Sequence, residues 1–193
     1  MHLEILVEEP SAKEVLDRLV PKIVGQAHSF EVHAFRNKDD LLEKVGARLR
    51  AYGKWVPRSW RFVVLVDEDR QDCHELKARI EQAAGDARLE TRTLARVAIE
   101  ELEAWFFGDI AALRSVYPRL PASLGQKERY RDPDAIKGGT WEALDCELRR
   151  CGYPEGLRKV ATARRVAEQM DPRRNRSHSF RVFRDGLAAL VAA

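Results

Sequence analysis

In the segment Arg61-Phe-Val-Val-Leu-Val66, residues 62–66 are an unbroken apolar run rich in β-branched residues, and it halts at Asp67-Glu68-Asp69-Arg70. Alternating apolar and polar residues would mark a strand with one wet face, whereas a continuous run marks a strand covered on both faces. Such a strand belongs inside a mostly parallel sheet flanked by helices, so the expected fold class is α/β. The same run falls far short of the ~20 residues that span a bilayer, so no membrane partner is expected. No basic stretch leads into an apolar signal region at the N-terminus, and the expected location is cytoplasmic.

Strand and helix patterns alternate around this run. Leu3, Ile5 and Val7 form an apolar strand that ends in Glu8-Glu9-Pro10. Ser11 is then placed to cap a helix carrying Val15, Leu16, Leu19, Val20 and Ile23, which Pro21 is expected to kink or restart. A more exposed strand follows at 30–35, a helix at 39–52, a polar helix at 71–84 and an extended stretch at 89–99. Helices are expected at 100–107, 110–117, 140–151, 161–170 and 179–191, with 118–139, rich in Pro and Gly, as a surface loop. The chain has 193 residues, marginal for two independent cores. The expected organisation is therefore an α/β core over 1–110 and a helical annex over 111–193, packed as a single compact domain.

Cys73, Cys146 and Cys151 show neither the pairing nor the short spacing of a zinc or redox motif, and read as reduced, packed thiols. A net charge of +3 identifies no polyanion partner by itself, so the argument rests on where charges lie. Two strands finish in acids, Glu8-Glu9 and Asp67/Asp69, and in open α/β sheets ligands bind beyond the carboxyl ends of the strands. Asp67 and Asp69 can share one cation. Hard divalent ions prefer carboxylate oxygens, and Mg²⁺ uses one or two of them while leaving positions for water and phosphate. Glu103 sits at the edge of an apolar helical stripe with Ile99, Phe106 and Phe107, so its carboxylate needs either a metal or an Arg partner.

From Arg158 to Arg184 there are nine Lys or Arg residues against two acids. Lys159, Arg173, Arg174, Arg176, His178 and Arg181 are candidate contacts to a DNA or RNA backbone, with Asn175, Ser177 and Ser179 as added phosphate donors. The bland alternative is a solvated helical face in which Ser177 or Ser179 caps the last helix. Trp55, Trp60 and Trp141 fit either an interface or a core.

The elements Ile5-Leu-Val-Glu8, Val64-Leu-Val-Asp67-Glu-Asp69-Arg70 and Glu101-Leu-Glu103-Ala-Trp105 together resemble a bacterial TOPRIM-related group close to the RloB-like proteins. The resemblance extends through Tyr130-Arg-Asp-Pro-Asp134 and Asn175-Arg-Ser-His-Ser179-Phe-Arg-Val-Phe183. TOPRIM domains carry a glutamate after the first strand and Asp-x-Asp after a later one, and they bind Mg²⁺ in topoisomerases, primases and overcoming-lysogenization-defect nucleases. The resemblance implies Glu8 as general acid or base, Asp67 and Asp69 as ligands for Mg²⁺, with Mn²⁺ as the alternative ion, and Glu103 as a further metal or catalytic carboxylate. Many TOPRIM sequences have Gly after the first glutamate. Here Glu9 and Pro10 follow, so Glu8 and Glu9 both stand as catalytic candidates. The resemblance further implies a nuclease in anti-phage defence, controlled by a partner ATPase of the ABC or SMC-like kind. A non-catalytic regulatory subunit and a receiver-like phosphoacceptor domain, with Asp67 taking phosphate, remain the alternatives. A haloacid-dehalogenase phosphatase fits less well, because Arg70 follows Asp69 where that motif has Thr or Val.

Overall fold

The computed structural model describes residues 1–193. Its elements are β1 (His2–Val7), α1 (Pro10–Val24), β2 (Ser29–Ala34), α2 (Lys38–Trp55), β3 (Trp60–Asp67), α3 (Cys73–Asp86) and β4 (Thr93–Ala98), followed by α4 (Ala104–Gly108), α5 (Ile110–Val116), α6 (Glu128–Arg131), α7 (Thr140–Arg150), α8 (Lys159–Gln169) and α9 (His178–Ala192). The four strands form one all-parallel sheet in the order β2-β1-β3-β4. The fold is thus α/β, a parallel sheet flanked by helices with a C-terminal helical annex, consistent with a TOPRIM-like fold.

The order fixes the layers. From β1 the chain steps one way to β2, then returns past β1 to β3 and on to β4. Right-handed crossovers require α1 on one face and both α2 and α3 on the other. The two apolar clusters follow this division. Leu3, Ile5, Val7, Val63 and Leu65 join α1 and the annex in one cluster. Leu6, Phe62, Val64 and Val66 join α2 and α3 in the second. Because residues of both parities in β3 are buried, the unbroken run at 62–66 is what this two-sided position demands. The first cluster runs without interruption from the strands into α4, α5 and α7 to α9, so the annex shares the core of the sheet. No helix is long and apolar enough to cross a membrane.

Several local expectations are corrected. Helix α1 runs unbroken through Pro21, whose ring lies near the C-terminal end, and it is Pro10 that occupies its first turn. Its N-cap position is Glu9, and Ser11 instead donates its hydroxyl hydrogen to the Glu9 carboxylate. The stretch 100–103 is a turn, with helix beginning only at Ala104, because Glu100 adopts φ 59°. The segment 118–139 is a folded part of the core with Leu120, Leu124, Tyr130 and Ile136 all buried. Its Pro and Gly residues shape tight helical turns rather than a surface loop.

Candidate functional site

The strand order reverses between β1 and β3. Crossovers leave to opposite faces there and open a crevice at the carboxyl ends. Glu8 follows β1 directly and Asp67 ends β3. The Asp67 amide donates to Glu8 Oε2 at 3.4 Å, so the two acids meet across the crevice. Burial pushes Glu8 up to about 7, with the Asp69 charge adding to the rise and bonds from Asp67 opposing it. Burial also holds Asp67 well above the usual carboxylate range, reinforced by the charges of Glu8 and Glu103.

Asp69 belongs to the β3–α3 loop, which is strapped to the β4–α4 loop. Glu68 N–H donates to Ala98 O at 2.9 Å, Asp69 N–H to Glu100 O at 3.1 Å, and Glu100 N–H to Glu68 Oε2 at 3.1 Å. Asp69 (φ 46°), Arg70 (φ 64°) and Glu100 (φ 59°) all hold left-handed backbone, which side-chain-bearing residues adopt at a cost. Such strain clusters where a loop must be held in one shape. The clamp is Lys38, in the first turn of α2. Its Nζ donates to Asp67 O at 2.9 Å and Glu68 O at 3.2 Å, and meets Asp69 Oδ2 at 2.8 Å.

Lys159, at the start of α8, closes the other side. Its Nζ lies 2.7 Å from Glu9 Oε1 and 3.9 Å from Glu103 Oε1. Burial would lower its pKa, but the Glu103 charge and the bond and charge of Glu9 outweigh that, and the net shift is upward. Glu103 is 1% exposed. Neither of its oxygens has a hydrogen-bond partner. Burial pushes it up to about 7 despite the attraction of Lys159. Glu8, Glu9, Asp67, Asp69, Lys38 and Lys159 line an open cavity of about 360 Å³, and Glu103 sits buried behind that lining.

The donor set fits a hard divalent cation. It is all carboxylate oxygen, and Glu103 has two buried oxygens that nothing satisfies. No three of these carboxylates present oxygens all within 4.8 Å of one another. The lysines hold Asp69 and Glu9 outward, so an ion would bind by drawing carboxylates off their lysine partners.

Residues 7–188 match a family described as "Domain of unknown function (DUF4276)". The chain belongs to this family. No curated protein and no solved structure matches it. In this DUF4276 chain the matched stretch takes in Glu8, Glu9, Asp67, Asp69 and Glu103 together with Lys38 and Lys159.

The sequence-predicted carboxylates therefore come together at one end of the sheet, with Glu8 turned to Asp67 and Glu9 to Lys159. The basic segment divides. Lys159 is part of the carboxylate site, and Arg174 is spent on Asp109 with contacts of 2.8 and 2.9 Å. Asn175, Ser177 and Ser179 are buried and cannot face a phosphate. Asn175 donates to Trp105 O at 2.8 Å, while the Ser177 and Ser179 hydroxyls each donate to Asp134 Oδ1 at 2.8 Å. Ser177 also caps α9, accepting from Phe180 N–H. Arg173, Arg176, His178 and Arg181 remain exposed.

Sequence reasoning missed Lys38. A signal existed, since a lysine beside the positive end of a helix dipole is unfavourable unless something else holds it. It also missed Glu4, which is 5% exposed at mid-strand. Glu4 accepts from Tyr52 Oη at 2.7 Å and contacts His33 Nε2 at 2.6 Å and His2 Nε2 at 3.0 Å. Burial would raise its pKa, yet bonds from Tyr52, His2 and His33 hold it below the ordinary value. Glu4, Glu31 and His33 place ligand atoms within 4.8 Å of one another. The bonds to Glu4 already account for the group as a satisfied polar network.

Proposed function

We propose that this DUF4276 protein is a metal-dependent phosphodiesterase acting on nucleic acid, a TOPRIM-type nuclease using Mg²⁺ or Mn²⁺. One observation carries the reading. Glu8, Asp67 and Glu103, from three separate stretches of sequence, are buried close together with pKa values raised, and neither oxygen of Glu103 accepts a hydrogen bond, with Lys159 Nζ 3.9 Å away. Carboxylates crowded in this way repel one another until cations neutralise them. Asp67, Asp69, Glu8 and Glu103 are the residues that would hold the ion, and a bound divalent cation supplies neutralisation of phosphate charge and activation of water.

The chain's own residues would do the rest. Glu8, poised at about 7, can take or return a proton at neutral pH. Lys38 and Lys159 line the same cavity and become free to contact phosphate oxygens once a cation claims Asp69 and Glu9. Arg173, Arg176, His178 and Arg181 are exposed and available for backbone contacts farther along a nucleic-acid strand. The resemblance to RloB-like proteins adds an anti-phage role under a partner ATPase to the same proposal.

The test is cleavage of supercoiled plasmid and of single-stranded DNA and RNA, with and without Mg²⁺ or Mn²⁺ and the candidate ATPase. Cation-dependent cleavage that Asp67→Ala abolishes supports the reading. Cleavage that survives Asp67→Ala overturns it. One observation favours a second reading, a non-catalytic regulatory subunit: Lys38 and Lys159 already neutralise Asp69 and Glu9 without any ion. Under that reading no condition yields cleavage, and the cation leaves thermal stability unchanged. A receiver-like role for Asp67 is disfavoured by its burial, since only 5% of it is exposed to a phosphate donor.

A further inference from the structure

At the opposite end of the sheet from the carboxylates, the α2–β3 connection carries Trp55-Val-Pro-Arg58-Ser-Trp60-Arg61. Trp55 is 66% exposed, the most exposed large apolar side chain of the molecule. Its ring stands edge-on to Trp60 at 5.8 Å, and Trp60 lies against His2 at 4.3 Å. The outer ring is thus seated against Trp60 although it stands in water.

Around it the cations are uncompensated. Arg58, Arg61 and Arg92 lie near enough for Arg61 and Arg58 to lower the Arg92 pKa, after the larger effect of its burial. None of the three, nor Lys54 beside them, has a carboxylate within 4.0 Å. What orients the guanidinium groups is backbone. Arg92 donates to Trp60 O at 2.9 Å and to Pro57 O at 2.6 Å, and Arg61 donates to Arg58 O at 3.1 Å. Arg61 Nε is buried with no acceptor. Elsewhere in this chain basic side chains commonly find an acid, as Arg18, Arg149 and Arg174 do. A fixed group of like charges with no counter-charge has the character of an anion site.

We propose that this end of the sheet binds single-stranded nucleic acid, with a base stacked on Trp55 and phosphates on Lys54, Arg58, Arg61 and Arg92. Guanidinium forks match phosphate geometry, and an exposed indole accepts any unpaired base. A protein partner fits less well, because interfaces bury an apolar centre. Here Trp55 stands alone, the other exposed large apolar residues being Val160 and Val182 in α8 and α9. A duplex fits less well too, since its bases are not free to stack on a side chain. Trp60 and Asp67 bracket β3, so the patch lies roughly 23 Å from the carboxylates at ~3.3 Å per residue. It would grip an unpaired strand well away from them.

The experiment is fluorescence anisotropy of labelled single-stranded DNA and RNA, the matching duplex, and a polyglutamate peptide, titrated with protein in EDTA. Without divalent cation nothing is cut, so binding is measured independently of the proposed hydrolysis. Single strands should bind more tightly than duplex. Trp55→Ala, at a site too exposed to unfold the chain, should weaken single-strand binding about tenfold or more. Lys54→Ala with Arg58→Ala should make the dependence of log affinity on log salt shallower by about 0.7 for each phosphate that is no longer neutralised. Binding unchanged in both variants overturns the proposal, as does equal affinity for duplex or preferential binding of polyglutamate. Loss of cleavage in Asp67→Ala with single-strand binding intact separates this patch from the carboxylate site.

Discussion

Replacing Glu103 by Gln tests whether the buried carboxylate is held at a cost in the absence of metal. Its pKa of about 7 in the folded chain compares with an ordinary value of 4.5. The sign follows directly. An acid whose folded pKa is raised binds more protons in the folded state, so it leaves stability untouched below the unfolded value and drains it as pH climbs through the folded one. Integrating between the two values gives a cost of about 1 kcal/mol at pH ~5 and about 3 kcal/mol at pH ~8. The attraction of Lys159, 3.9 Å away, is already contained in the shifted value.

Gln removes the charge at both pH values, and any unmet hydrogen bonding of its amide costs the same at both. The pH-dependent part, about 2 kcal/mol, is therefore the readout, and for a domain of this size each kcal/mol moves Tm by about 2–4 °C. In calorimetry with chelator present, the Tm of Glu103→Gln relative to wild type should rise by about 4–8 °C between the acid and alkaline conditions. Adding Mg²⁺ or Mn²⁺ at the alkaline condition should then stabilise the wild type more than the variant, because only the wild type recovers its charge cost on binding. A Tm difference that does not change with pH would refute the reasoning. Glu103 would then be an ordinary internal partner of Lys159, and nothing in its burial would call for a cation.

Two further substitutions probe how the site is built. Lys38→Met strips Asp67 O and Glu68 O of a donor and Asp69 of its counter-charge, and urea denaturation should show a loss of about 2–3 kcal/mol. Asp134→Ala leaves the Ser177 and Ser179 hydroxyls and the His178 amide without their acceptor. It should cost about 2–4 kcal/mol by the same assay while leaving the carboxylate cluster in place.

The strands and the sheet were legible because burial on both faces writes itself as an unbroken apolar run, and because acids at strand ends break that run abruptly. The positions of Glu8, Asp67 and Asp69 at one end of the sheet could be read this way. Helix ends were less legible. Ser11 looked like a cap, but Pro10 already occupies the first turn, and the left-handed Glu100 delays the helix that the apolar stripe of Phe106 and Phe107 announced. The basic C-terminal run misled for a different reason. Asn175, Ser177 and Ser179 look like phosphate donors by composition, yet the two serines close the contact between α9 and the turn at Asp134, and Asn175 bonds Trp105 O and the Ser177 amide. Polar residues in a charged stretch carry no mark showing whether their bonds go to a ligand or to the chain itself.

Lys38 was invisible as a site residue for a related reason, and Lys159, expected only as a nucleic-acid contact, sits among the carboxylates; together the two lysines change what the carboxylates mean. Clustered acids without counter-charge would be an unstable fold waiting for metal. With Lys38 on Asp69 and Lys159 on Glu9, most of the repulsion is relieved in the cation-free protein, and the unrelieved part is confined to Glu103 and the Glu8–Asp67 pair. A cation that enters has to displace two lysines as well as collect carboxylates. Under the proposed function, each lysine so displaced would stay in the lining of the same cavity, where a phosphodiester could replace the departed carboxylate. Cation and polyanion should therefore bind cooperatively, each removing the partner that holds back the other.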